Sequence, residues 1–303
     1  MTARRTQFSP LLAPGLASIF YKNLKIRPEE FSKWLPTKTS KKAYEESYKL
    51  TGLQRFTFKA EGSTYTFDDP IPGSTMRFTH FTYALGFRVT EEMLEDDQYG
   101  IMNRMSKELA NSAIQNKEVQ GFSVLDNAFS TSFVGYTSGE ALCQDTHTLL
   151  DNSTLDNLVT GDFSQDGLQE ALELFEAFTD DRGFKVHVKA SKLIHSPGDI
   201  WEVNKVLKSE MEANTADHNL NVIRTMFGIE PLLVHHITDT DAWFLTATKS
   251  DIDSGEGGRM YVRVNDKFRS DDDPLTGDAI FTGRHRISVG WGDFRWIVGS
   301  AGA

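Results

Sequence analysis

Aromatic and polar residues alternate along Phe56-Thr57-Phe58-Lys59-Ala60 and again along Tyr65-Thr66-Phe67-Asp68. That two-residue period belongs to strands, and Glu61-Gly62-Ser63-Thr64 between them has turn composition, so the pattern predicts a hairpin. Pro70-Ile71-Pro72-Gly73 closes it. Phe78 to Val89 is mostly alternating and predicts an extended segment. Thr90 then has the chemistry of a helix cap, with Val89 and Leu94 at the positions of a hydrophobic staple. The helix is predicted over about 90–121, because Ile101, Met105, Leu109 and Ala113 recur every fourth residue beside Met102, Ala110 and Ile114. Glu92, Glu95, Lys107, Glu108, Lys117 and Glu118 fill its other faces. A lone two-stranded hairpin is marginal in water and a narrow apolar stripe needs cover. The pattern therefore points to a subunit completed by neighbouring copies.

Elsewhere the periodicity is shorter. Residues 1 to about 48 have scattered apolar positions punctuated by Pro10, Pro14, Pro28 and Pro36, which predicts an extended arm with helical turns near Leu16–Tyr21 and Pro28–Phe31. Residues 130–160 have loop composition. A helix is predicted from about Ser164 to Asp181, with Leu168, Ala171, Leu172, Phe175 and Phe178 inward and Gly183 at its C-terminal cap. Lys185–Lys189 alternates as a strand, and Ser196-Pro197-Gly198-Asp199 starts a helix whose apolar line is Ile200, Val203, Leu207 and Met211. Strands are predicted at 221–223, 232–237, 242–246, 260–264 and 284–291, with a closing strand at 294–298. The fold class is α+β, with a compact insertion over about 185–250.

Charge changes this picture in one place. The 303 residues carry a formal net charge of -11, which argues against a general nucleic-acid binder. Up to Tyr44, however, nine basic residues (Arg4, Arg5, Lys22, Lys25, Arg27, Lys33, Lys38, Lys41 and Lys42) face only Glu29 and Glu30. A basic arm on an acidic body can lie along a neighbour, trail in solvent or touch nucleic acid. The 21 phenylalanines fit either a large core or extensive interfaces.

Recognised chemistry is sparse. Neither GxGxxG nor GxxxxGK[ST] occurs, and HExxH and GxSxG are missing. Cys143 is the one cysteine, so no intrachain disulfide forms, and structural burial is its simplest role. His235-His236 with Asp239 and Asp241 is the nearest approach to a metal set, but neighbours in a strand point to opposite faces. Asp271-Asp272-Asp273 reads as a solvated loop. No cofactor site and no catalytic residue is assigned. No apolar run has the length of a membrane span.

The order of elements resembles the major capsid protein family of tailed bacteriophages, whose fold is shared with encapsulins. The residues closest to that family's phrasing are Phe87-Arg88-Val89-Thr90-Glu91-Glu92-Met93-Leu94-Glu95-Asp96-Asp97, and Phe281 to Asp293 at the C-terminal end. The resemblance implies an N-terminal arm at 1–48 and an extended loop at 49–77 that lies over the adjacent subunit. It implies a peripheral domain from 78–184 and 251–303 with the 90–121 helix as spine, and an axial domain at 185–250. It further implies a structural protein, not an enzyme, forming pentamers and hexamers in an icosahedral virion head assembled in the host cytoplasm. The implied partners are a portal, an optional decoration protein and double-stranded DNA held without sequence-specific contacts, with no membrane. Because the arm begins almost at Met1, a separate scaffolding protein is expected in place of a cleaved leader. The expected interface residues are Phe56, Phe58, Lys59, Tyr65 and Phe67 in the hairpin and Arg4, Arg5, Lys22 and Lys25 in the arm. Lys59 sits where some members cross-link to a neighbour's Asn, although protection of a strand edge is the simpler account. Two rival readings stand beside this one: an encapsulin-like compartment, and a soluble metal-dependent hydrolase using His235 or His236 with scattered carboxylates.

Overall fold

The computed structural model describes residues 9–90, 92–93, 100–133, 135, 139–211, 220–273 and 276–302, with side chains from Pro14 onward. The first segment is helix α1 (Ser9–Leu24), not an extended arm. It holds to the body because Leu16 and Phe20 are buried, and the Phe20 ring lies 5.4 Å from that of Phe268. A 3-10 turn at Phe31–Lys33 follows, then strand β1 (Thr37–Thr39).

The hairpin forms outside the stretch its alternation predicted. Strand β2 (Tyr44–Leu50) pairs antiparallel with β3 (Pro72–Thr79), in register from Tyr44↔Thr79 to Leu50↔Pro72. The strands expected at 56–60 and 65–68 form no ladder, and residues 51–71 make an extended loop beyond the stem. The physical difference is cover. Ser47 and Phe78 in the stem are buried, Phe78 edge-on to Tyr261 at 5.1 Å, whereas the loop's aromatics find nothing in the subunit to lie on.

Strand β4 (Phe81–Val89) leads to Thr90, whose Oγ1 accepts the Met93 N–H at 3.3 Å. Thr90 therefore caps the turn containing Glu92 and Met93. The long helix α2 spans Ile101–Asp126, starting after Gly100, whose φ of 65 lies in the left-handed region that ends regular helix. Residues 91 and 94–99, including the expected staple residue Leu94, lie outside the described residues. The buried stripe of α2 is rotated from the expected one. It runs through Met102, Ser106, Leu109, Ala110, Ile114, Glu118 and Phe122, while Ile101 is exposed. Two polar residues occupy it because both are satisfied: Ser106 Oγ donates to Leu16 O at 2.9 Å, and Glu118 accepts two backbone N–H groups.

Helix α2 lies on a four-stranded sheet of order β1-β10-β11-β4, built on the long antiparallel pair β10 (Gly258–Asp272) and β11 (Ala279–Trp291). A second sheet has the order β12-β9-β7-β8, with β7 at Ala190–His195, β8 at Glu230–Leu233, β9 at Trp243–Ala247 and β12 at Ile297–Ser300. Helix α3 (Gln165–Ala177) packs on β12 and helix α4 (Ile200–Lys208) on β8. A short helix α5 (Lys249–Ser254) precedes β10. A small ladder joins β5 (His147–Thr148) to β6 (Thr154–Leu155).

Several expected boundaries move. Helix α3 stops at Ala177 because Phe178 turns out (φ -55, ψ 133) to bury its ring beside Phe175 at 5.3 Å and Phe294 at 6.3 Å. Gly183 (φ 76) serves the following turn, not a helix cap. Residues 186–189 form no strand, and β7 starts at Ala190. Helix α4 starts at Ile200, since Ser196 spends its hydroxyl on Thr240 O. A π turn at Ile223–Phe227 replaces the strand expected at 221–223. The 185–250 segment is not self-contained, because its sheet takes edge strand β12 from the C-terminal end. One continuous core joins both sheets through Trp34, Phe122, Trp243, Trp291 and Trp296.

Candidate intersubunit surfaces

Among the described residues, the loop of residues 51–71 is tied to the body only at its base. Thr51 N–H donates to Ile71 O at 3.1 Å and Ile71 N–H to Thr51 Oγ1 at 2.8 Å. Asp68 accepts the Gln54 N–H at 2.9 Å and ion-pairs with Arg182 at 3.2 Å. Arg182 also donates to Asp69 O at 3.1 Å, and the Arg55 guanidinium sits 5.5 Å over the Phe184 ring. These contacts clamp both ends of the loop against the turn after α3. Farther out, Thr57 and Thr66 hydroxyls meet at 3.1 Å, and Gly62 (φ 79) makes the tip turn.

All four expected aromatics lie on this loop and in water: Phe56 is 102% exposed, Phe58 95%, Phe67 90% and Tyr65 75%. Lys59 stands with its Nζ 5.0 Å from the Tyr65 ring centroid, so it already spends part of its charge on a π face. Lys22 and Lys25 are exposed at the C-terminal end of α1 and project beside the exposed Ile26. Lys22 lies in the last turn of α1, and Lys25 directly follows it. Arg4 and Arg5 lie outside the described residues.

Apolar side chains are also exposed outside this loop. Trp201 is 84% exposed on α4, and Val222 and Met226 are exposed at the π turn. The sequence carries the signal for this exposure, because Trp201 falls off the inward line Ile200, Val203 and Leu207. The anchor residues Arg182 and Phe184 also carried no pattern, since their role depends on a loop more than 100 positions away.

The residues considered for catalysis are occupied structurally. Cys143 is buried, and burial pushes its thiol well above the usual range. His235 Nδ1 contacts Glu30 Oε1 at 3.0 Å, while the His236 ring stacks 6.0 Å from Phe122. Asp239 accepts the Asp241 N–H at 3.1 Å. Among the described residues, no group of three or more His, Cys, Asp or Glu side chains is placed to hold a metal ion. Among them, too, no helix is long and apolar enough to cross a membrane.

A family model described as "Phage capsid protein" matches residues 73–300. The chain is similar to the capsid of the cyanophage P-SCSP1u at 9% identity and a TM-score of 0.62, covering 91% of this chain and 89% of that one. It is similar to the capsid of a native GTA particle at 12% identity and a TM-score of 0.59, covering 91% and 90%. It is also similar to the virus-like particle from Pyrococcus furiosus at 12% identity and a TM-score of 0.52, covering 95% and 99%. No curated protein sequence matches the chain.

Proposed function

The chain belongs to the phage capsid protein family, and from that premise we propose that its copies close, as pentamers and hexamers, into the icosahedral head of a tailed phage. The protein is a structural capsid protein. The enclosed cargo in this reading is double-stranded DNA, held without sequence-specific contacts by a shell of net negative charge. A separate scaffolding protein, a portal and an optional decoration protein complete the assembly, which takes place in the host cytoplasm. The segment up to residue 48 and the loop within 49–77 reach neighbours, while the β7–β8–β9–β12 part gathers around the five-fold and six-fold axes.

The observation that carries this reading is the loop of residues 51–71. A soluble monomer gains nothing from holding Phe56, Phe58, Tyr65 and Phe67 in water. Each Å² of apolar surface covered on assembly contributes roughly 25 cal/mol. A loop on one subunit and a seat on the next make a head-to-tail contact, the kind that closes into rings and shells. Summed over several neighbours, such contacts hold a large obligate interface without covalent links.

Deleting residues 54–69 tests this. The expected product is a folded subunit, by circular dichroism and thermal melting, that sediments as a small species and gives no particles in electron micrographs. Intact shells from the deletion would overturn the loop's role. A second reading, a compartment holding protein cargo, draws on the likeness to the virus-like particle. Nuclease-protected DNA inside purified particles decides for the phage head, and protein cargo without nucleic acid decides for the compartment.

A further inference from the structure

The chain crosses between the main sheet and the hairpin twice. It leaves β1, which pairs with β10, to enter β2, and it leaves β3 to enter β4, which pairs with β11. Ser40 follows β1 on the first crossing. His80 is the single residue between β3, ending at Thr79, and β4, starting at Phe81, on the second. The chain reaches the β2–β3 stem only through these two crossings, so they are its hinge.

Both residues are buried, and their side chains are tied together. His80 Nε2 lies 3.1 Å from Ser40 Oγ, and His80 Nδ1 lies 2.9 Å from Ser288 Oγ on β11. One ring thus joins the two crossings to each other and to the main sheet. The bonding fixes its tautomer. Ser40 spends its one hydroxyl hydrogen on Glu45 Oε1 at 2.7 Å, and its oxygen takes the Lys42 N–H at 3.2 Å. That oxygen can then only accept from the ring, so Nε2 carries the proton and Nδ1 accepts the Ser288 hydroxyl. The backbone is held as well: Ser40 N–H donates to Val262 O at 3.0 Å, and Arg286 Nε donates to His80 O at 3.2 Å.

A second proton undoes this arrangement. It sits on Nδ1 and meets the hydrogen that Ser288 donates, so that hydroxyl has to turn away. The new charge also arises among cations. Arg286 on β11 and Arg263 on β10 face the ring, and the carboxylate facing it, Glu45 on β2, is already held by Lys42 of the connecting turn at 2.9 Å. From β10, the Tyr261 ring stands edge-on at 6.5 Å. Burial first, and Arg286 second, hold the ring's basicity below the ordinary 6.5. Farther out, the stem is fastened by Ser47 to Glu256 at 2.7 Å and by Lys49 to Asp181 at 3.1 Å, contacts that contain no histidine.

We propose that His80 is a proton-operated lock on the hinge of the hairpin: the neutral ring pins both crossings, and the protonated ring lets the root of the stem open while its outer contacts stay made. The lock belongs to the lone subunit. Its consequence rests on the shell reading, in which it sets how firmly the aromatic loop is aimed at a neighbour. The ring has ordinary basicity once the root is open and lower basicity while it is closed. Opening therefore takes up a proton, and the open fraction grows as pH falls below 6.5 until the closed ring titrates too.

Amide hydrogen exchange of the unassembled full-length subunit tests this, followed by mass spectrometry from about pH 7.5 to about pH 5 and corrected for intrinsic rates. Protection at residues 40–47 and 76–81 is expected to lie below that of helix α3. It should fall by up to about tenfold for each pH unit between the open and closed values of the ring. His80→Gln offers one donor and one acceptor but takes up no proton, so its root should lose this pH dependence. Root amides that match the protection of α3 at every pH mean global unfolding and overturn the lock. A flat wild-type profile overturns it too, as does a Gln variant that follows the wild-type profile. Should the Gln variant not fold, the nitrogen NMR shifts of the wild-type ring decide. A proton on Nε2 at neutral pH with titration below 6.5 supports the lock, and a proton on Nδ1 or titration at or above 6.5 overturns it. All of this is read on lone subunits, so a failure of the wild-type chain to form shells would sink the shell reading and leave the lock standing.

Discussion

Glu118 Oε2 accepts the backbone N–H of Phe31 at 3.1 Å, joining helix α2 to a turn 87 positions earlier in the chain. Its Oε1 takes the Glu30 N–H at 2.7 Å. One turn along the same helix, Gly121 leaves the space that the Phe31 side chain fills, since a Cβ there would stand 2.6 Å from Phe31 Cβ. Carboxylate and glycine together fasten the segment between α1 and β1 to the long helix. Burial pushes the Glu118 carboxyl above its usual range, against the pull of the two N–H groups. Glu118→Gln keeps the volume but turns an amide NH2 toward one of those donors. It is expected to cost about 1–3 kcal/mol, the penalty of one unsatisfied buried donor, measured by urea denaturation of the unassembled subunit.

Gly121→Ala attacks the same junction sterically. The new methyl cannot coexist with Phe31 in place, and overpacking of this kind costs about 1–3 kcal/mol. Combined with Glu118→Gln, the loss should be less than additive, because both variants release the same turn. A double-mutant cycle by chemical denaturation checks this, and full additivity would separate the two contacts.

Acid should loosen the subunit through its buried histidines. His147 lies with its ring centroid 3.6 Å from that of Phe294 and bonds Asn157 at 2.9 Å, and burial holds its basicity below the ordinary 6.5. His80 and His195 are lowered for the same first reason. The unfolded chain takes up a proton at each near 6.5, while the folded one resists until its lower value. Stability is therefore full above about 6.5 and falls as pH drops toward the folded values, by about 1.4 kcal/mol per unit of difference at each site. Glu118 has the opposite sign, because a raised carboxyl returns stability as pH falls toward its ordinary 4.5. Melting temperatures from neutral pH downward should show the histidine loss, steeper in the Glu118→Gln background. A flat profile would contradict it.

Arg295 is the buried cation whose loss should hurt most. It reaches Asp181 at 3.0 Å, Asp293 at 2.5 Å and Thr179 O at 2.6 Å, and Asp181 also holds Lys49 at 3.1 Å. Arg295→Met leaves both carboxylates partly stranded and is expected to cost about 3–5 kcal/mol. Replacing Lys49, Asp181, Asp293 and Arg295 together by apolar residues should cost less than the single change, because no charge is then left without a partner. Urea midpoints of the single and quadruple variants decide it.

Much of the helical content was legible because a 3.6-residue apolar period survives in the sequence, as in the line Leu168, Ala171, Leu172 and Phe175 of α3. The phase of α2 was not. Glu118 looks like a solvated residue beside Lys117, and only the distant Glu30 and Phe31 N–H groups make its burial tolerable. The loop departs from its pattern for a related reason. Alternating aromatics signal a strand, but a ladder needs a subunit surface beneath it, and residues 56–60 have none. The pairing of Lys267 with Arg284 was not legible either, because they become neighbours only through the β10–β11 register. The alternation did single out the four loop aromatics, and the structure leaves all four exposed on residues 51–71, because that loop extends beyond the stem with no surface of its own subunit beneath it.

Two phenylalanines with the same chemistry should therefore give opposite results. Phe31 is 2% exposed against Gly121 and the core, and Phe31→Ala is expected to destabilise the subunit by about 3–5 kcal/mol, the sum of lost burial and the cavity left behind. Phe56 is fully exposed, so Phe56→Ala should leave subunit stability within about 0.5 kcal/mol of the parent. Its cost appears only on assembly, as a lower yield of particles at fixed concentration, because the side chain gains a partner only there. Denaturation of the unassembled subunit and sedimentation of the assembled product read the two effects separately. A Phe56→Ala subunit that melts early would mean the loop folds onto its own body, and the surface that selects a neighbour would have to lie elsewhere.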